Sequence, residues 1–169
     1  VIDQGYECGH CGERHEGLPF SYGSGAPAYW REEFAADERS RLEDEICVIQ
    51  GEHFFVRARL VIPVHDAGED FEWGIWTTLS RPNFARMLEV WDTPGREAEP
   101  AYFGWLSTEL PVYPESTINL KLMVHTAPLG ERPHVLVEPT EHPLAVEQHR
   151  GITLARVRQI ASLVQHAGA

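Results

Sequence analysis

Lysine is almost missing from this chain: Lys121 stands alone beside 13 arginines in 169 residues. Against those 14 cations the sequence sets 26 carboxylates, for a formal net charge of −12. No basic stripe of the kind that neutralises phosphates is present, so a nucleic-acid partner is not expected. No run approaches the ~20 apolar residues of a membrane span, and the N-terminal stretch carries neither a basic nor an apolar signal-like segment, so no membrane association is expected either. Cysteine is scarce as well. Cys8, Cys11 and Cys47 do not make a disulfide framework, and they read as thiols of a reducing, cytoplasmic setting. A phosphate-binding glycine loop and a dinucleotide fingerprint are missing, and neither Ser80 nor Ser107 sits in a nucleophile elbow. These absences together lean towards a protein that is not an enzyme.

What is present is ample core material, with 43% hydrophobic residues and five tryptophans. A chain of this length buries about 70% of its unfolded surface, so it needs no metal merely to acquire a core. A single domain over residues 1–169 is expected, with residues 1–30 a cysteine-knuckle and loop appendage packed on it. The acidic balance suits solubility, or a basic protein partner reached by electrostatic steering.

The pattern of apolar residues predicts an α+β fold: a central, mostly antiparallel sheet with flanking helices and an N-terminal zinc-knuckle-like loop. Ile46-Cys47-Val48-Ile49 and His53 to Ile62 flank Gln50-Gly51, which reads as a hairpin. In the second run Phe54, Val56, Ala58, Leu60 and Ile62 share one face and Arg57 and Arg59 the other. Phe71 to Leu79 is a further strand, expected to be covered on both sides because Trp76 opposes Phe71, Trp73 and Ile75. Ser80 caps a helix with Pro82 in its first turn and Phe84, Met87, Leu88 and Trp91 on its buried stripe. Tyr102 to Thr108, Thr117 to Thr126 and Pro133 to Glu138 read as strands, and Thr153 to Gln165 as a capped amphipathic helix. The mixed charges between Trp30 and Glu45 predict a solvated helix over 36–44.

Chemistry concentrates at Cys8-Gly9-His10-Cys11-Gly12, followed by His15. Two thiolates separated by two residues can face one ion, and Gly12 lets the backbone turn around it. His15 reaches the same ion from one short loop, and a structural zinc wants a fourth N or S ligand. The expected set is Cys8, Cys11, His15 and Cys47, with His10, His142 and His149 as weaker substitutes. Three other readings stay open: a redox pair, a vestigial site that has lost its metal, and Cys47 as a small core residue. His142 before Pro143 is either a base or ligand at a cleft, or a cap or hydrogen-bonded packing residue before a proline, and the second is favoured. Arg57, Arg59, Lys121 and His125 share a sheet face that could bind an anion, although pairing with the surplus carboxylates is the simpler outcome.

Taken together, several stretches resemble a bacterial family catalogued as domain of unknown function 2199. They are Cys8-Gly9-His10-Cys11-Gly12 with His15-Glu16-Gly17-Leu18-Pro19, Cys47-Val48-Ile49 with His53-Phe54-Phe55-Val56-Arg57, Trp73-Gly74-Ile75-Trp76, Gly104-Trp105-Leu106-Ser107 and Tyr113-Pro114. Asn119-Leu120-Lys121, Arg132-Pro133, His142-Pro143-Leu144-Ala145 and Gly151-Ile152 complete the likeness. The resemblance implies a bacterial cytoplasmic protein whose N-terminal cysteines look like a metal site, and it brings no established activity. The expected function is a non-enzymatic, zinc-stabilised module, regulatory or immunity-like, that binds another protein. The alternative is a metal-dependent hydrolase with an open zinc position and Glu16 or His142 as general base.

Overall fold

A computed structural model describes residues 5–167; residues 1–4 of the expected appendage lie outside them. In chain order the strands are β1 (Tyr6–Glu7), β2 (Arg14–His15), β3 (Ser21–Tyr22), β4 (Arg41–Leu42), β5 (Ile46–Ile49), β6 (His53–Ile62) and β7 (Phe71–Leu79). Helix α1 (Arg81–Glu89) follows, then β8 (Tyr102–Trp105), β9 (Lys121–His125), β10 (His134–Val137), α2 (Pro143–Arg150) and α3 (Leu154–His166).

The centre is the β6–β7 hairpin, antiparallel over nine register pairs from Phe54↔Leu79 to Ile62↔Phe71. Strict alternation sorts its side chains. Val56, Ala58, Leu60 and Ile62 meet Phe71, Trp73 and Ile75 on one face, all 2% exposed or less. That face joins one core with Phe84 and Met87 of α1, Leu144 and Ala145 of α2, and Val157, Ile160 and Ala161 of α3. Each such large side chain contributes about 1.5–3 kcal/mol by leaving water. The opposite face buries a smaller cluster of Cys47, Ile49, Phe55 and Trp76 under Trp30 and Phe34. β7 is therefore covered on both sides, as its sequence predicts.

The sheet of eight strands runs β3-β7-β6-β10-β9-β8, with β5 also on β6 and β4 on β5. It is mixed, which corrects the expectation of a mostly antiparallel sheet. β10 lies parallel to β6, with His134 opposite Arg59, and β3 lies parallel to β7. Alternation reports which face a side chain takes and is blind to strand direction, so the parallel pairs leave no mark in the pattern. β8 then curls back onto β7: Leu106 bridges Thr77, and the Ser107 amide donates to the Trp76 carbonyl at 2.8 Å.

Residues 36–44 do not form the expected helix. A short 3-10 turn occupies Glu32–Ala36, and β4 follows. The Asp37 carboxylate accepts from the Arg39 amide at 3.0 Å and the Ser40 hydroxyl at 3.1 Å, a local turn that competes with helix. Conversely, α2 was not expected. His142 is its N-cap, with Nδ1 accepting from the Leu144 amide at 3.1 Å, and Pro143 opens its first turn.

Candidate metal centre

β1 and β2 form a two-stranded ribbon with Tyr6 opposite His15. The residues between them make a tight loop: the Cys8 amide donates to the Glu13 carbonyl and the Gly12 amide to the Cys8 carbonyl, both at 2.8 Å. Gly12 has φ of +72°, a conformation that L side chains rarely adopt. Tyr6 and Cys8 belong to the main core, together with Val157, Ile160 and Ala161 of α3. That shared packing sets the last turn of α3 beside the loop.

There the Cys8–Cys11 loop and the last turn of α3 meet. Cys8 Sγ and His166 Nε2 lie 3.2 Å apart, and the ligand atoms of Cys8, Cys11 and His166 all fall within 4.8 Å of one another. His15 Nε2 is 3.5 Å from Cys11 Sγ. On the far side of His15, Nδ1 sits 3.2 Å from the Gln165 side-chain nitrogen, and the Tyr6 hydroxyl donates to Gln165 Oε1 at 2.9 Å. His10 stacks on His166 with ring centroids 4.3 Å apart. The Cys11 backbone N–H on the Cys8 sulfur is the largest of several influences that lower the Cys8 thiol from 9.0 to about 5. Burial opposes it, while the His10 amide, Ser162 and His166 assist, so the site holds a thiolate at neutral pH.

Four expected positions thus part company. Cys8 and Cys11 come together, His15 stands beside Cys11, and Cys47 is not brought to the group. Strand parity is the reason: on β5, Ile46 and Val48 face the main core, while Cys47 and Ile49 face the opposite cluster. Burial pushes the Cys47 thiol up to about 12, so it stays protonated, the small core residue weighed as its other reading. His142 and His149 are engaged elsewhere. His142 caps α2 while its Nε2 lies 3.1 Å from the Ser116 carbonyl, and His149 Nε2 lies 2.6 Å from the Val137 carbonyl. Glu16 is exposed.

His166 was not foreseen. It lies 158 positions from Cys8, and the only hint was a histidine just beyond an amphipathic helix, which by itself names no partner. Of the four residues expected to share a face, Arg59 pairs with Glu72 at 2.9 Å, Arg57 lies over the Trp76 ring, Lys121 lies near the Trp105 ring, and His125 stacks on His134.

The donor chemistry suits zinc. A tetrahedral ion with bonds of about 2.3 Å to sulfur and about 2.0 Å to nitrogen sets S···N edges of about 3.5 Å. The Cys8–His166 and Cys11–His15 separations of 3.2 and 3.5 Å fall close to that edge, although the group that meets within 4.8 Å is Cys8, Cys11 and His166, with His15 touching it through Cys11 alone.

Among the described residues no helix is long and apolar enough to cross a membrane. No curated protein and no solved structure matches the chain. A family model described as "Uncharacterized protein conserved in bacteria (DUF2199)" matches residues 7–152, which takes in Cys8, Cys11 and His15 and stops short of His166. On that match the chain, with its thiolate loop and its mixed sheet, belongs to the DUF2199 family.

Proposed function

We propose that this chain is a non-enzymatic protein-binding module whose two ends are held by one zinc ion on Cys8, Cys11, His15 and His166. The observation that carries the reading is the convergence of Cys8, Cys11 and His166 within 4.8 Å. When bound, the ion supplies a closed Cys2His2 clamp between the N-terminal loop and α3. His15 completes it through Nε2 once Nδ1 carries the proton. Turning the exposed Gln165 amide over gives Nδ1–H an oxygen acceptor, and the amide then donates to the Tyr6 hydroxyl. A closed shell leaves no position for a reactive water, and His142, one of the two bases of the hydrolase alternative, is occupied as a cap.

The partner half of the reading rests on two features. The net charge of −12 favours a basic protein. Phe103, Met123 and Leu136, neighbours across β8–β9–β10, are 45%, 38% and 45% exposed, an apolar patch that no element among the described residues covers.

Metal analysis of freshly purified, reduced protein tests the clamp. About one zinc per chain is expected, lost in Cys8→Ser, weakened in His166→Ala and kept in Cys47→Ala. A metal content near zero, or zinc retained in the Cys8→Ser and Cys11→Ser double variant, overturns it. A photoreactive residue at position 103 tests the partner in bacterial cells. One discrete adduct with a basic protein supports that half, and no adduct removes it while leaving the clamp standing.

A further inference from the structure

On the side of the sheet away from the helices, a pocket of about 540 Å³ opens where the 29–34 loop leans over the β5–β6 turn and the end of β8. Its size lies within the ~300–1,000 Å³ typical of small-molecule sites. Four aromatic rings line it: Tyr29, Phe34, Phe55 and Trp105. Tyr29 bridges the mouth, its hydroxyl donating to Asn119 Oδ1 at 3.0 Å. The Gln50 side-chain amide, the His53 imidazole and the Asn119 side-chain nitrogen line it too, exposed to solvent, and among the described residues none of these side-chain groups has a protein hydrogen-bond partner. Gln50 and Asn119, with φ of 55° and 65°, are also the non-glycine residues of the described chain in the left-handed region. The Gln50–Gly51 hairpin turn accounts for the first, and at Asn119 the strained backbone is of the kind that gathers at binding sites.

Charge narrows the ligand. In a chain with 26 carboxylates and 14 cations, no Asp, Glu, Lys or Arg lines this pocket. A site built for an ion would carry its counter-charge, so the recognised group is neutral. Aromatic walls favour a flat ring, and two amides with an imidazole offer donors and acceptors to a heterocyclic edge. We infer that this pocket binds a small neutral heteroaromatic of the nucleobase or free nucleoside class. A polynucleotide is disfavoured by the net charge of −12.

The test titrates the full chain, with and without chelator so that it reads independently of the metal, with adenosine and uridine. Tryptophan indole NMR signals are followed, and the Trp105 signal is assigned from its loss in Trp105→Leu. A saturable shift of that signal with Kd of about 1 mM or tighter is expected, and benzyl alcohol, a flat ring without a heterocyclic edge, binds at least about tenfold more weakly. Asn119→Gly keeps the left-handed backbone while deleting the amide; it weakens the nucleosides by about tenfold and leaves benzyl alcohol unchanged. Trp105→Leu, followed through the remaining signals, weakens both. No saturation by either nucleoside at about 10 mM overturns the inference. So does affinity unchanged in both variants, which puts binding elsewhere, or benzyl alcohol binding as tightly as the nucleosides.

Discussion

Two cysteines of one chain show how far environment divides identical side chains. Cys8 accepts backbone and side-chain donors and falls to about 5, while Cys47 meets only apolar neighbours and rises to about 12. The sign of the pH effect follows. Because the folded-state pKa of Cys8 is lowered, the folded, metal-free chain holds fewer protons there than the unfolded chain between pH 5 and 9. Its contribution to stability is complete above the ordinary thiol range and fades as pH falls through about 5. Titrating metal-free protein by ultraviolet thiolate absorbance is expected to show one low step centred near pH 5 that Cys8→Ser abolishes. A low step that survives in Cys8→Ser would assign the thiolate wrongly.

Arg96 makes a second residue-scale case. Its guanidinium donates to the carbonyls of Trp91, Ala127, Pro128 and Glu131 at 2.7–3.0 Å, tying the segment after α1 to the β9–β10 loop. A lysine presents one ammonium and cannot span four carbonyls set in a fan. Arg96→Lys is expected to cost about 1.5–3 kcal/mol in urea unfolding at unchanged m-value. A loss near zero would mean that water replaces the guanidinium at each carbonyl.

At the scale of elements, the close return of β8 to β7 depends on a missing side chain. A Cβ at Gly104 would lie 2.5 Å from both Thr77 Oγ1 and the Thr78 carbonyl. Gly104→Ala must therefore push the strands apart, breaking the bonds from Thr77 Oγ1 to the Trp105 carbonyl and from the Trp105 amide to Thr78 Oγ1. Overpacking of this kind costs about 1–3 kcal/mol. Chemical denaturation checks it, and a neutral Gly104→Ala would show that the seam between β7 and β8 is loose.

The same elements show what a sequence can carry. β7 occupies Phe71–Leu79 as its alternation predicts, and the Ser80 cap and α1 follow, with the Ser80 hydroxyl accepting from Asn83 at 3.3 Å, although of the expected stripe Leu88 is exposed and Trp91 lies beyond the helix. Local periodicity and capping chemistry write these features into adjacent residues. Pairing partners are not written there. The β6–β10 contact joins residues of distant segments, and α2 opens on a histidine cap and buries Gln148, whose amide serves Val135 and Val137 instead of an apolar stripe. The candidate metal site divides along the same line. Cys8 and Cys11 are legible as neighbours, whereas His166 reaches them only through the packing of α3.

For the whole molecule, the decisive question is what the clamp holds. The hydrophobic core runs through β6, β7 and the three helices without needing the loop, and a chain of this size has enough of it to fold unaided. Zinc would therefore stabilise locally, joining the β1–β2 ribbon to the last turn of α3, with Tyr6 and Gln165 as the adjoining hydrogen-bonded pair. Chelation is expected to raise amide hydrogen exchange in residues 5–16 and in the last turn of α3, while β6 and β7 keep their protection. With metal present, His166→Ala should raise exchange in the last turn of α3 while residues 5–16 keep more of their protection, since it opens the clamp at the helix end alone. If chelation instead releases β6 and β7 together with the ends, the metal is a folding determinant of the whole chain. If neither region changes, the three side chains meet without holding an ion. Only the local outcome leaves a module whose thiolate loop is fastened to α3 and whose outer sheet face remains open.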